Sequence, residues 1–194
     1  MNALASARSS EAVVTPFRRF VRSFMASRLA VSGLVLVLAL VLLALFAPFI
    51  APQNPYDLQQ LDFMDGKLAP GSQNMDGTLT YWFGTDDQGR DLLSGILYGL
   101  RTSLLVGVSS AFIALLVGAA AWLFAAYRGG WADTLIMRVV DIQLSFPAIL
   151  IALILLAILG QGVDKIIIAL VVTQWAYYAR TVRGSALVER RKEY

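Results

Sequence analysis

A run of 26 residues without a charge, positions 102–127, limits this 194-residue chain more than any other feature. At about 1.5 Å per residue a helix of that length reaches about 39 Å, more than the roughly 30 Å of a bilayer's hydrocarbon core. A second run, 29–50, has 22 residues and reaches about 33 Å. Inside lipid every backbone N–H and C=O must be satisfied within the protein, and apolar segments this long satisfy them as helices. Composition agrees, with 58% hydrophobic and 15% charged residues and a mean hydropathy of +0.66, against roughly 25% charged in an average soluble domain. The sequence predicts an all-α integral membrane protein. A net charge of +3 would also suit a nucleic-acid binder, but the basic residues are scattered between apolar runs and form no single face, which excludes that partner. With no cysteine and no histidine, a disulfide framework, a Cys/His metal site and histidine acid–base chemistry are excluded as well.

Two further runs complete the pattern. Residues 142–159 are apolar, and Asp133 can N-cap a helix that enters this run from 134–140. Pro147 sits inside it and takes the helical donor from the Gln143 carbonyl, which predicts a kink. Residues 166–179 are shorter and carry Thr173 and Gln174. They span only if the helix continues past Arg180 and Arg183, whose long stems can snorkel to the interface. Four transmembrane helices are expected, at about 29–50, 102–127, 137–159 and 165–187. The first could instead be a secretion signal, but it exceeds the 7 to 15 residues of a signal core and lacks a convincing cleavage pattern, so it reads as an uncleaved anchor.

Loop charges orient these spans. Five arginines and one acid, Glu11, precede the first span, whereas 52–100 holds seven aspartates against Lys67 and Arg90. The positive-inside rule places segment 1–28 in the cytoplasm and loop 51–100 outside. Alternation then puts 128–138 inside, 160–165 outside, and the tail with Arg180, Arg183, Arg190, Arg191 and Lys192 inside. Trp175, Tyr177 and Tyr178 fall where an inner aromatic belt would lie.

The outer loop holds the string Phe83-Gly84-Thr85-Asp86-Asp87-Gln88-Gly89-Arg90-Asp91. Thr85 with Gln88 three residues on reads as a capping box, and Asp86 and Asp87 suit the positive end of a helix. Beyond it Leu92, Leu93, Ile96, Leu97 and Leu100 share one face, predicting an amphipathic interfacial helix over about 86–100. In the second span Gly107, Ala111, Ala114, Gly118, Ala121 and Ala125 recur at steps of three and four. Small residues in such a stripe let helices approach closely in lipid, which predicts a packing seam opposite Leu105, Phe112, Leu116 and Leu123.

At this point a family resemblance becomes specific. Phe83 to Asp91 resembles the F-G-T-D-x-x-G-R-D signature of the C-type permeases of dipeptide, oligopeptide and nickel ABC importers. Three further stretches agree in order and spacing: Tyr127-Arg128-Gly129-Gly130-Trp131-Ala132-Asp133, then Met137-Arg138-Val139-Val140-Asp141-Ile142-Gln143-Leu144-Ser145-Phe146-Pro147, then Tyr178-Ala179-Arg180-Thr181-Val182-Arg183-Gly184. The anchor and Ala47-Pro48-Phe49-Ile50-Ala51-Pro52 are similar to the family's N-terminal segment. The resemblance implies a multi-pass bacterial inner-membrane protein with six helices per subunit, residues 101–194 forming the first part of the permease domain. It implies pairing with a second permease, two cytoplasmic ATPases and a periplasmic substrate-binding protein. It also implies no cofactor in this subunit, ATP being bound by the partner ATPases, and the absence of a G-x-x-x-x-G-K-S/T loop agrees. In relatives the stretch resembling Arg190 to Tyr194 runs into the E-A-A loop that docks on the ATPase, so the sequence reads as truncated before that loop.

No nucleophile, base and orienting group occur together, and the chain reads as non-enzymatic. Asp141 is a candidate for the pathway, or for a pair with Arg138 three residues earlier. Gln174 suits either a polar path or an interhelical hydrogen bond. Arg90 and Thr85, Asp86, Asp87 and Asp91 around it are candidates for contact with the binding protein, or for a local cluster that shapes the loop. Two readings compete with the permease: a non-transporting membrane scaffold, and a secondary transporter, which calls for an inverted repeat the sequence does not display. Peptide is the substrate class expected over nickel or opine-like solutes.

Overall fold

The computed structural model describes residues 15–190. Glu11 and Arg8, and Arg191 and Lys192 of the basic tail, lie outside the described residues. The described chain forms six α-helices and one two-stranded ribbon, and it divides into two compact units at Arg101/Thr102.

In the first unit, α1 (Pro16–Ala26) begins with proline in its first turn, where a missing N–H costs nothing. Ser27 ends it in an extended conformation, then caps α2 (Arg28–Ile50) by accepting from the Ala30 N–H. Past Arg28 and Ser32 in its first turns, the 23-residue α2 is apolar all round, as suits a helix surrounded by lipid. Two short 3-10 turns follow, Leu58–Gln60 and Phe63–Asp65, capped by the side chains of Asp57 and Asp62. An antiparallel ribbon pairs β1 (Ser72–Gln73) with β2 (Thr80–Tyr81), Ser72 opposite Tyr81.

Helix α3 (Leu92–Arg128) runs 37 residues without interruption. The separate interfacial helix expected over 86–100 and the span expected over 102–127 are therefore one helix. No proline lies within it, and Gly95 and Gly99 cost only about 1 kcal/mol each, too little to end so long a ladder. The capping box expected at Thr85 is also corrected. Asp91 caps the helix, its Oδ2 accepting from the Ser94 N–H at 2.8 Å and from the Ser94 hydroxyl at 2.6 Å.

In the second unit the third expected span is two helices, α4 (Gly130–Leu144) and α5 (Ala148–Leu159), bent by 89°. Pro147 was expected to kink one helix; instead it divides two. The residue before a proline is pushed out of the helical region, and the chain closes α4 in a tight turn whose Phe146 N–H donates to the Gln143 carbonyl at 3.2 Å. The Pro147 carbonyl then starts α5 by accepting from Leu150 at 3.0 Å. Asp133 is not the N-cap of α4, because Gly129 at φ +63° holds that position. Helix α6 (Val163–Arg190) follows a turn through Gly160 and Gly162 and continues past Arg180 and Arg183.

Helices α2 and α3 are long and apolar enough to cross a membrane, and α4 with α5 makes a third candidate as a broken span. With 28 residues α6 has the length, but its polar residues leave it less apolar.

Candidate functional site

Two polar arrangements stand out, one in each unit. In the second, α4 and α6 run antiparallel around a small core of Val140, Ala176 and Ala179, with Met137, Leu144 and Trp175 packed on it. Along its edge lies a ladder. Arg183 grips Asp133 with two hydrogen bonds, Nε to Oδ1 at 3.1 Å and Nη2 to Oδ2 at 2.9 Å. This two-point geometry is the strong form of the Arg–carboxylate pair. Farther along, Arg180 pairs with Asp141. At the broken end of α4, the Gln143 side-chain amide donates to the Val172 carbonyl and accepts from Trp175 Nε1 at 2.8 Å. A cavity of about 220 Å³ beside the Arg183–Asp133 pair is lined by Trp122, Ala125, Ala126, Gly129, Gly130 and Ala186.

One sequence expectation is corrected here. Asp141 pairs with Arg180, 39 residues away on α6, rather than with Arg138. One helical turn places Arg138 near Asp141 in sequence, but the antiparallel packing of α6 on α4 brings the guanidinium of Arg180 to it from the facing helix. Gln174 is half-buried, and the hydrogen bonds joining α4 to α6 run through Gln143, a residue that sequence reasoning passed over. Its signal was its place four residues before Pro147, where a break leaves an end to be secured.

The small-residue stripe of α3 narrows. Ala114, Gly118 and Ala125 are buried and Ala111 and Ala121 half-buried, while Gly107 is exposed with nothing near its Cβ position. At Gly118 the approach to α6 is closest: a Cβ there would lie 2.5 Å from the Trp175 carbonyl oxygen and 2.8 Å from the Ala179 nitrogen. Leu105, Phe112, Leu116 and Leu123 are exposed.

In the first unit, the segment between α2 and α3 is bracketed by the Phe83–Asp91 string. Gly84 and Gly89 adopt φ of +79° and +76°, and a Cβ would sit 2.4 Å from the Leu68 carbonyl oxygen and 2.0 Å from that of Asp62. Only glycine fits either place. Thr85 is buried, its hydroxyl accepting from the Leu68 N–H at 2.8 Å and donating to the Asp65 carbonyl. Asp86 folds the string on itself by accepting from Gln88 and Arg90 N–H groups at 2.8 and 3.0 Å. Asp87 pairs with Lys67 on the surface.

Asp91 is fully buried; its N–H donates to Gln53 at 2.8 Å, and the Gln53 N–H donates to Ser94 at 3.1 Å. Two buried atoms of the string, Arg90 Nε and Asp91 Oδ1, have no hydrogen-bond partner. Tyr81 is buried and donates to Asp65 at 2.9 Å. Burial first, then this bond and the carboxylate's charge, hold its hydroxyl well above the usual tyrosine range. Beside it opens a cleft of about 420 Å³ lined by Gln59, Gln60, Asp62, Asp65 and Asp76. Among the described residues no group of acidic side chains is placed to hold a metal.

Unbroken apolar helices, a span divided at a proline and a helix pair tied by charged side chains define a polytopic helical membrane protein. Residues 15–70 match the N-terminal TM domain of oligopeptide transport permease C, and residues 118–194 match the binding-protein-dependent transport system inner membrane component. The chain is 37% identical over its whole length to the di/tripeptide transport system permease protein DppC of Pseudomonas aeruginosa, covering 64% of it. It is 35% identical over 95% of its length to the glutathione transport system permease protein GsiD of Pectobacterium atrosepticum, covering 58%. To the dipeptide transport system permease protein DppC of Alkalihalophilus pseudofirmus it is 34% identical over 93% of its length, covering 56%. The chain thus spans about three-fifths of the length of the curated relatives it matches. In order along the chain, the two matches resemble the layout of a binding-protein-dependent inner membrane component with the oligopeptide permease C type of N-terminal segment.

Proposed function

We propose that this chain forms part of the translocation path of an ABC importer for peptides or related small solutes. The observation that carries the reading is the pair of family matches in order along one chain, whose relatives are named as di/tripeptide, dipeptide and glutathione permeases. The geometry supports it: a span broken at Pro147 and secured to α6 by Gln143 gives polar backbone and side chains a place inside the bilayer, which lipid-exposed helices do not tolerate. The chain does no chemistry; partner ATPases bind ATP and supply the energy, a second permease completes the path, and a periplasmic binding protein delivers the solute to the loop between α2 and α3. Helices α2, α3, α4 with α5, and α6 are four spans, the N-terminus is cytoplasmic, and the loop is external.

Two experiments test this. The permease that carries this chain, expressed with its ATPases and binding protein in a strain lacking peptide uptake, restores entry of a labelled dipeptide; entry of nickel alone overturns the substrate class, and entry of neither overturns the transport reading. A reporter active only outside the cytoplasm is active when fused after Gly71 and silent after Gly130, and the reverse pattern overturns the orientation.

A further inference from the structure

Helix α1 has no buried residue, yet its sides differ sharply. At 3.6 residues per turn, Phe17, Phe20, Val21, Phe24 and Met25 cover an arc of about 140°, Arg18 borders it beside Met25, and Arg19 and Arg22 lie on the far side. Phe17 is 74% exposed, Phe20 65% and Met25 63%. The Phe20 and Phe24 rings touch along the apolar side with centroids 6.2 Å apart. Eleven residues reach about 16 Å, too short to cross a membrane. One extended residue, Ser27, separates this helix from α2, a candidate span of mean hydropathy 3.0.

We propose that α1 lies in the plane of the membrane as an anchor for anionic lipid, its phenylalanine side in the acyl boundary and its arginines among the headgroups. Continuity with α2 supplies the occupant. A helix tethered by one residue to a bilayer-embedded span starts at the interface, where lipid is the apolar medium within reach. Charge selects the lipid. No acidic residue occurs between Glu11 and Asp57, so Arg18, Arg19, Arg22 and Arg28 meet no carboxylate in the neighbouring sequence, and anionic headgroups match them. This inference rests on α2 being in the bilayer and is independent of the transport reading.

The chain contains no cysteine, so single cysteines report cleanly. Phe20→Cys, Met25→Cys and Ser23→Cys are labelled with an environment-sensitive fluorophore, in the full chain reconstituted in nanodiscs of mixed phosphatidylglycerol and phosphatidylcholine or of phosphatidylcholine alone. In the anionic discs, labels at 20 and 25 are shifted to the blue and shielded from iodide, and the label at 23 is quenched. Shielding falls in phosphatidylcholine discs and at 1 M salt, where the screening length is only about 3 Å. Each of Arg18→Gln, Arg19→Gln and Arg22→Gln lowers the docked-to-free ratio roughly fivefold. All three arginines sit on a helix without buried residues, so these variants fold. Equal shielding in both lipids overturns the proposal, whether the cover is protein or zwitterionic lipid. So does equal shielding at 20 and 23, or a signal indifferent to the three arginines.

Discussion

The segment between α2 and α3 and the helical unit of α4 to α6 both hold charged side chains in place, by opposite means. In the loop, glycines let two stretches of backbone pass at distances that leave no room for a Cβ, and buried hydroxyl, amide and carboxylate groups bond one another: Thr85 to Asp65 and Leu68, Asp91 to Ser94 and Gln53. Two buried atoms, Arg90 Nε and Asp91 Oδ1, are the exceptions. In the helical unit the buried contacts are few and small, chiefly Val140, Ala176 and Ala179, while large apolar side chains such as Ile149, Ile154 and Ile158 face outward. The ladder of Asp133–Arg183, Asp141–Arg180 and Gln143–Trp175 fixes which faces of α4 and α6 meet, and lipid or neighbouring helices must cover the rest. The loop is built to keep one shape in water; the helices are built to be completed by their surroundings.

Three tests by substitution sharpen that contrast, in falling order of effect. Gly118→Leu puts a whole side chain where the α6 backbone already stands within 2.5 Å of a Cβ, and it separates α3 from α6, whereas Leu116→Ala on the exposed side is mild. Thermal aggregation of the detergent-solubilised protein measures both, and equal tolerance at 116 and 118 would show that the two helices are not in close contact. Gly89→Ala combines a positive φ with a 2.0 Å approach to the Asp62 carbonyl and costs about 3 kcal/mol; the loop becomes protease-sensitive while the helices stay inserted. Cleavage unchanged from wild type would remove the close approach on which the loop description rests. Asp133→Asn leaves Arg183 with a neutral partner and costs about 1–2 kcal/mol, and Asp141→Asn, in the more exposed pair, costs less. Reversal of that order, read by denaturation in the same detergent, would mean that exposure does not rank the ladder.

The contrast also explains what the sequence could disclose. Hydropathy announced α2 and α3 because length and apolarity alone decide whether a helix suits a bilayer. It could not place the start of α3, since Thr85-x-x-Gln88 and Asp91-x-x-Ser94 both offer an oxygen three residues before an N–H, and only the fold reveals that Thr85 is occupied by Leu68 and Asp65. Pro147 marked an interruption, but kink or break depends on whether α4 has something to end against, which is Gln143 reaching α6. Likewise the partner of Asp141 lay on another helix, beyond any local spacing rule. The stripe of small residues was legible from Ala111 to Ala125, though not where it stops, because Gly107 has the right spacing and no neighbour.

The smallest effect at neutral pH is also the one that best isolates the loop from the helices. Tyr81 is buried and donates to Asp65, and its hydroxyl is held above its ordinary range, first by burial, then by this bond and the nearby carboxylates. In the unfolded chain a tyrosine loses its proton near pH 10. Because the folded value is the higher one, the stabilisation is fully present below about pH 10 and declines as pH rises above it toward the folded value. Tyr81→Phe deletes this dependence, and at neutral pH it costs about 1 kcal/mol, since Asp65 Oδ2 loses a donor. Limited proteolysis of the reconstituted protein, run from pH 8 upward, should show the wild-type loop opening above about pH 10 with the helices intact, and the variant opening with a shallower slope. Parallel slopes in the two proteins would mean that Tyr81 is ionised or solvated in the folded loop, and the self-satisfied core around Asp65 would lose its central bond.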